Sequence, residues 1–207
     1  SNLIDAFSMA KSVLEQERRK KVILNVYTGI LDSLSHKYGP MSEEYLLGAK
    51  LLEENIRRLI MGVSDDLAQK TTLIFLSDHG QDSILPQLNI TFTKNEIEEL
   101  SKLLRAPMGK SGRVLHFYVK KDCEEKLLRA LQDKITTRGY VMTFEEAARE
   151  FIGRTSDLAA SRVRLGDIIV VLRKGVNVEI QREESENNWE EHFLGSHGST
   201  TFNEVLV

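Results

Sequence analysis

The sequence has little cysteine, no long apolar run and no charge imbalance, and each shortage excludes a class of protein. Cys123 is the only cysteine, so no intramolecular disulfide can form, and we expect a reducing, cytoplasmic compartment. No apolar run approaches the roughly 20 residues that cross a bilayer. The 28 basic and 31 acidic residues nearly cancel, which leaves no electrostatic footprint for nucleic acid or an anionic membrane.

The first third of the chain alternates between helix and strand signals. Apolar periodicity predicts helices over 4–19 and from Ser42 to Met61. Residues 22–27 and 72–76 are short, nearly continuous apolar runs, which are typical of buried parallel strands. Residues 28–40 are predicted to be a loop. This order predicts a doubly wound α/β sheet, in which functional sites gather at the carboxyl ends of the strands.

The rest of the chain has a different rhythm. We predict helices over 95–104, 122–138 and 143–151, strands over 114–119, 166–172 and 204–207, and a polar loop over 181–191. Residues 176–180 are expected to pair with 166–172 across the Lys174–Gly175 turn. The predicted organisation is a core α/β segment over 3–81, an inserted α+β cap subdomain over 82–165, and a return to the core over 166–207.

Three short motifs carry side chains that bind divalent metals. In the first, Asp32 and His36 are four residues apart. If the segment after Asp32 makes one helical turn, both side chains fall on the same side, where one ion can bridge them. The alternative interpretation is an ordinary loop aspartate beside a surface histidine.

The second motif, Ser77-Asp78-His79-Gly80, directly follows a predicted strand. Adjacent residues of an extended chain point to opposite sides, so Asp78 and His79 bind one ion only if the backbone turns at Gly80, or else they serve different ions. A carboxylate that is buried after a strand also needs a partner or a cation. The alternative is that Asp78 caps a helix.

In the third motif, His197 lies between Gly195-Ser196 and Gly198-Ser199. Small neighbours allow a close backbone approach, although a histidine of a flexible loop would have the same sequence. The remaining histidines lack such a setting. His116 lies within a predicted strand and is interpreted as a packed or surface strand residue. For His192 the favoured interpretation is a histidine without a role at the site, and the alternative is a supporting or substrate-side group.

The ordered set of these motifs resembles the C-terminal half of the type I phosphodiesterase/nucleotide pyrophosphatase family, in the alkaline phosphatase superfamily. The shared features are Asp32 and His36 leading into Tyr38-Gly39-Pro40, then Ser77-Asp78-His79-Gly80, then Gly195-Ser196-His197-Gly198, together with the run 162–168. The resemblance implies a partial three-layer α/β/α sandwich of alkaline phosphatase type with the inserted cap.

The resemblance also implies two divalent metal ions, most often zinc, with manganese as the alternative. Asp32, His36 and His197 would hold one ion, and Asp78 and His79 would contribute to the other. The family's Thr or Ser nucleophile has no matching segment in residues 1–31, so the catalytic nucleophile is expected upstream. We therefore expect a C-terminal fragment that is inactive by itself.

The implied substrates are small phosphoesters or nucleotides, which would be cleaved at a phosphodiester or pyrophosphate bond. Two alternatives stay open. One is another superfamily member, such as a phosphomonoesterase, phosphonate hydrolase or phosphomutase, and the other is a non-catalytic binding domain on the same fold. A homodimer is also expected, because missing strands would leave apolar surface and sheet edges exposed.

Overall fold

The computed structural model describes residues 2–152, 157–181, 193–201 and 204, and it combines helices with short strands. Its contacts divide the chain into an N-terminal unit, Ser1–Asp78, and a C-terminal unit, His79–Val207. The mixed α/β class predicted from sequence is confirmed. The predicted three-part division at 3–81, 82–165 and 166–207 stays a prediction.

The described part of the N-terminal unit contains four helices, and the two longest begin at capping side chains. Asn2 and Ser42 accept hydrogen bonds from backbone N–H groups in the first turns of helices α1 and α3. Helix α3 packs against both α1 and α2. Gly48 permits one of these approaches, because a Cβ there would lie 2.4 Å from Leu34 Cδ1. The helices are α1 Leu3–Gln16, α2 Ile30–Tyr38, α3 Glu43–Gly62 and α4 Asp65–Ala68.

Two predicted strands of this unit are not formed, and one predicted loop is a helix. Residues 22–27 and 72–76 belong to no strand, although both stretches are described throughout. Ile23 is 101% exposed and Leu76 is 90% exposed. The prediction of two buried parallel strands is therefore wrong for this chain, since neither run pairs with a strand within the described residues. The predicted loop over 28–40 contains helix α2.

The C-terminal unit is built on a four-stranded antiparallel sheet with the order β3-β4-β6-β5. Helix α6 packs against β5. Thr93 and Thr143 form capping boxes with Glu96 and Glu146 at the starts of α5 and α7. The elements are β1 Asp82–Ser83, β2 Ile90–Phe92, α5 Lys94–Leu103, β3 Gly109–Ser111, β4 Val114–Phe117, α6 Glu124–Ile135, β5 Gly139–Thr143, α7 Phe144–Ala147, α8 Leu158–Leu165, β6 Ile168–Leu172, β7 Val178–Ile180 and β8 Gly195–Ser196.

Strand β6 organises the core of this unit. Its side chains alternate between the two faces of the sheet. Ile168, Val170 and Leu172 join the main apolar cluster, while Ile169 and Val171 join a second one. The strand predicted over 166–172 is thus confirmed for Ile168–Leu172, and it lies in one sheet with strands from the predicted cap.

Two shorter strand pairs also lie in the described part of the C-terminal unit. Strand β7 pairs in parallel with β2, so the prediction that 176–180 pairs with 166–172 is wrong. Strand β8 pairs antiparallel with β1, with Asp82 opposite Ser196. This second pair brings together the two loops that carry His79 and His197.

No helix in the described parts of the chain is both long and apolar enough to cross a membrane. The predicted loop over 181–191 lies almost wholly outside the described residues, as do His192 and all of the predicted last strand except Glu204.

Candidate metal centre

Asp32 and His36 lie one turn apart on helix α2, whose first residue follows Gly29. The spacing of four places both side chains on the same face. His36 Nε2 lies 3.2 Å from Asp32 Oδ1. The acid is in the first turn and the histidine in the last, where each suits the helix dipole. The prediction that these side chains share one side is confirmed.

This pair has the chemistry and spacing of two ligands to one ion. Donor atoms that bind the same tetrahedral zinc at about 2.1 Å lie roughly 3.4 Å apart, close to the observed 3.2 Å between Nε2 and Oδ1. A carboxylate oxygen with an imidazole nitrogen suits zinc or manganese. Both side chains keep partial solvent access, so an ion can reach them. That they bind a metal stays a prediction.

His79 and His197 form a second pair, within the C-terminal unit. Their ring centroids lie 3.7 Å apart and the ring planes differ by 17°, so the imidazoles are stacked. His79 lies just before β1 and His197 just after β8. The pairing of these two strands therefore brings together residues that are far apart in sequence.

A hydrogen bond defines the donor nitrogen of His79. Its Nδ1 lies 3.1 Å from the carbonyl oxygen of Gly80. A carbonyl oxygen only accepts, so Nδ1–H is the donor, and the neutral ring carries its lone pair on Nε2. Proteins orient metal-binding histidines in this way, with a hydrogen bond from the ring nitrogen that does not bind the metal. His79 is thus prepared to offer Nε2 as a ligand atom.

Glycines let the His197 loop approach the β3–β4 turn. The backbone N–H of Arg113 donates to the carbonyl oxygen of His197 at 2.9 Å. A Cβ on Gly112 would lie 2.2 Å from that same oxygen, and Gly112 has φ +55°. Gly198 has φ +90° and lies against Ser111. The close backbone approach that was predicted for the His197 loop is therefore present, and the loop approaches the β3–β4 turn.

Asp78 differs from the other predicted ligands. It is exposed, as are the apolar residues before it from Leu73 to Leu76. The expectation of a carboxylate buried behind a strand is thus wrong. Its predicted role as a metal ligand does not depend on burial and stays a prediction.

Among the other histidines, His116 lies on strand β4, and its Nδ1 is 2.9 Å from the carbonyl oxygen of Leu165. This half-buried residue lies on a strand, as predicted, and of the two predicted settings, packed or surface, it has the more packed one. His192 lies outside the described residues.

Sequence reasoning missed two residues next to the His197 loop. Arg113 and Glu204 form an ion pair of 2.9 Å with both side chains fully buried. In the sequence, Arg113 directly precedes the predicted strand over 114–119, and Glu204 is the first residue of the predicted strand over 204–207. No local sequence signal joins two residues 91 positions apart, so only the fold reveals the pair.

Comparison with solved structures shows the fold. Murine ectonucleotide pyrophosphatase / phosphodiesterase 5 matches with a TM-score of 0.66 and 20% identity, over 93% of this chain and 48% of that one. Phosphonoacetate hydrolase from Sinorhizobium meliloti 1021 matches with a TM-score of 0.58 and 16% identity, over 97% and 48%. The fold is alkaline phosphatase-like α/β, as predicted, and the chain spans about half the length of these proteins.

A curated relative shares a shorter segment. GPI ethanolamine phosphate transferase 1 from Aspergillus oryzae is 31% identical over 80 residues, which is 37% of this chain and 8% of that protein. The model of the type I phosphodiesterase / nucleotide pyrophosphatase family matches residues 3–200. The chain belongs to this family, in the alkaline phosphatase superfamily, and the resemblance predicted from its motifs is confirmed.

Proposed function

We propose that this chain is the metal-binding part of a phosphodiesterase or nucleotide pyrophosphatase-type hydrolase. The observation that carries the proposal is the family match over residues 3–200, which includes all three ligand motifs. The Asp32–His36 and His79–His197 pairs support it, because each brings together ligand side chains from the motifs.

In this proposal Asp32, His36 and His197 hold one divalent ion, and Asp78 and His79 contribute to a second. Bound zinc or manganese would polarise the phosphoryl group and stabilise the developing charge on the leaving oxygen. The residues of this chain orient the donor atoms: helix α2 holds Asp32 and His36 in register, and the hydrogen bond to Gly80 holds the His79 ring.

The attacking Thr or Ser is proposed to come from polypeptide beyond these 207 residues. The support is that the chain covers 48% of each solved neighbour. We therefore expect the 207-residue chain to bind metal partially and to show no appreciable turnover, because the covalent step has no nucleophile. Chelator-sensitive hydrolysis by the purified 207-residue chain would contradict this assignment.

The test uses the complete protein with a bis-aryl phosphodiester, an aryl phosphomonoester and an alkyl phosphonate. The proposal expects metal-dependent cleavage in which the diester is preferred. Preference for the monoester or phosphonate would instead support another superfamily activity. Absence of both tightly bound metal and turnover would favour a binding domain.

His36→Ala and Asp78→Ala should abolish activity in the complete protein, and His36→Ala should also lower its zinc content by mass spectrometry. His116→Gln is the matched control, because His116 is a histidine outside the motifs with its own carbonyl partner. Equal zinc content in His36→Ala and the wild type would remove His36 from the ligand set.

A second candidate is transfer to an alcohol rather than to water. It is favoured by the segment shared with GPI ethanolamine phosphate transferase 1. Adding an alcohol acceptor to the phosphodiester assay separates the two, since a transferase forms the new ester at the expense of the hydrolysis product.

We also propose a small phosphoester or nucleotide as the substrate and a homodimer of the 207-residue chain. The support for the dimer is the exposed apolar surface of residues 22–27 and 72–76. The cytoplasmic location expected from the single cysteine stays a prediction.

A further inference from the structure

Arg113 is the largest fully buried side chain among the described residues. Its Nη1 donates to Glu204 Oε1 at 2.9 Å, and its Nε donates to the carbonyl oxygen of Val176 at 3.1 Å. Nη2 faces the carbonyl oxygens of Leu172 and Arg173. The guanidinium therefore joins β6 and the segment after it to the turn that contains Glu204.

Glu204 in turn holds the segment that follows His197. Its Oε1 accepts from the backbone N–H of Ser199 at 3.3 Å, and its Oε2 accepts from the hydroxyl of Thr201 at 2.5 Å. The backbone N–H of Arg113 donates to the carbonyl oxygen of His197 itself. Both members of the buried pair thus contact the loop of His197.

Through its main chain, Glu204 also reaches the loop of His79. The backbone N–H of Gly80 donates to the carbonyl oxygen of Glu204 at 3.4 Å. Gly80 also accepts the hydrogen bond from His79 Nδ1. The stacked rings of His79 and His197 are therefore carried by two loops that meet at one buried carboxylate residue.

We propose that Arg113 and Glu204 are positioning residues that hold the His79–His197 stack in the geometry needed to bind metal. The proposal rests on the proposed function for the metal, but the stack itself needs no metal. A buried ion pair is weak evidence for stability, because desolvation of two charges offsets their attraction. Its use here is to select one arrangement of two loops.

The experiment compares the 207-residue chain with the double variant Arg113→Met/Glu204→Leu. Replacement of a buried pair by apolar side chains is often neutral for stability, so loss of positioning can be separated from unfolding. The Arg113→Met and Glu204→Gln single variants are measured beside it. Arg105→Met is the control, because it removes another ion pair of the same unit, with Asp167. Among the described residues, the side-chain hydrogen bonds of that pair go to Val119 and Arg162 and to neither histidine loop.

The first readout is the NMR spectrum of the histidine rings without metal. Stacking shifts the ring protons of His79 and His197, and amide signals of β4 and β6 report the fold. The proposal expects the double variant to keep the amide signals and lose the stacking shifts, and Arg105→Met to keep both. A folded double variant that retains the stacking shifts, or a wild type that lacks them, would overturn the proposal.

The second readout is zinc affinity by titration. Loss of residues that orient metal ligands typically weakens binding by about 10- to 100-fold, and we expect this in the double variant. One outcome is that the wild type keeps the histidine stack but binds no zinc, and the double variant loses the stack. The positioning role of Arg113 and Glu204 is then supported, and the proposed metal function fails. If the wild type binds zinc and the double variant binds equally well, positioning is wrong and the metal function stands.

Discussion

Similar apolar sequences have opposite structures in the two units: one forms a buried strand and the other is exposed and forms no strand. Strand β6, Ile168–Leu172, is an apolar run that lies between β4 and β5 with every side chain buried. Residues 22–27 form a comparable β-branched run in the N-terminal unit, yet they form no strand and expose Ile23 completely. An apolar run becomes a strand only where neighbours supply both a hydrogen-bond ladder and a covering face.

Hydrogen exchange should show the largest contrast between the units. Amides of β6 exchange only through global opening of their unit, so we expect protection of at least about 10³-fold. Amides of 22–27 and 72–76 in the 207-residue chain should exchange at nearly unprotected rates. Strong protection of those two runs would mean that they pair with something, and a dependence on protein concentration would identify a second copy.

This contrast also explains which parts of the fold could be predicted. Helix α3 was predicted from its capping Ser42 and apolar periodicity, because those signals are local. The pairing of β7 with β2 could not be predicted, since it depends on strands about 88 residues apart. The strand predicted over 72–76 was wrong for the same reason. Its sequence favours a strand, but whether a strand forms depends on partners that are distant in the sequence.

The candidate site divides in the same way. The Asp32–His36 pair was predictable because a spacing of four is a local property of one helical turn. The stack of His79 on His197 was not, because it depends on the pairing of β1 with β8. Arg113 and Glu204 could not be predicted for this reason either.

Matched phenylalanines provide the next test. Phe117 on β4 is fully buried, whereas Phe75 is 61% exposed. Phe117→Ala should lower the free energy of unfolding of the C-terminal unit by about 3–5 kcal/mol, because it leaves a cavity in the core. Phe75→Ala should change stability by no more than about 0.5 kcal/mol. Urea denaturation measures both, and equal losses would mean that 72–76 is buried in solution.

Substitutions in the two exposed runs, 22–27 and 72–76, should weaken self-association, whereas substitutions elsewhere on the surface should not. Phe75→Lys and Ile23→Lys place charges on the exposed apolar surface, so we expect the proposed dimer to dissociate several-fold more readily. Tyr140→Lys is the control, because Tyr140 is a half-exposed side chain on β5 of the C-terminal unit. Light scattering at several concentrations measures the effect, and a wild type that is monomeric throughout would contradict the dimer.

The smallest expected effect is a pH dependence of the C-terminal unit that comes from Asp167. Burial raises the pKa of this carboxyl and is the largest single effect. The N–H of Val119 and the guanidinium groups of Arg162 and Arg105 together outweigh burial, so the net pKa is lowered from its ordinary 3.8. A carboxyl with a lowered pKa stabilises the folded state fully above its unfolded pKa.

That stabilisation is lost as the pH falls from 3.8 through the lower folded pKa. Asp167→Asn should therefore be less stable than the wild type at neutral pH, and the difference should shrink as the pH drops below 3.8. Only a modest part of this stability difference is electrostatic, because Arg105 is half-exposed and its charge is screened by solvent. Urea unfolding followed by β6 amide signals at neutral and acid pH measures the difference for the C-terminal unit alone. A gap between the two proteins that is independent of pH would mean that Asp167 acts through packing and hydrogen bonds rather than through its charge.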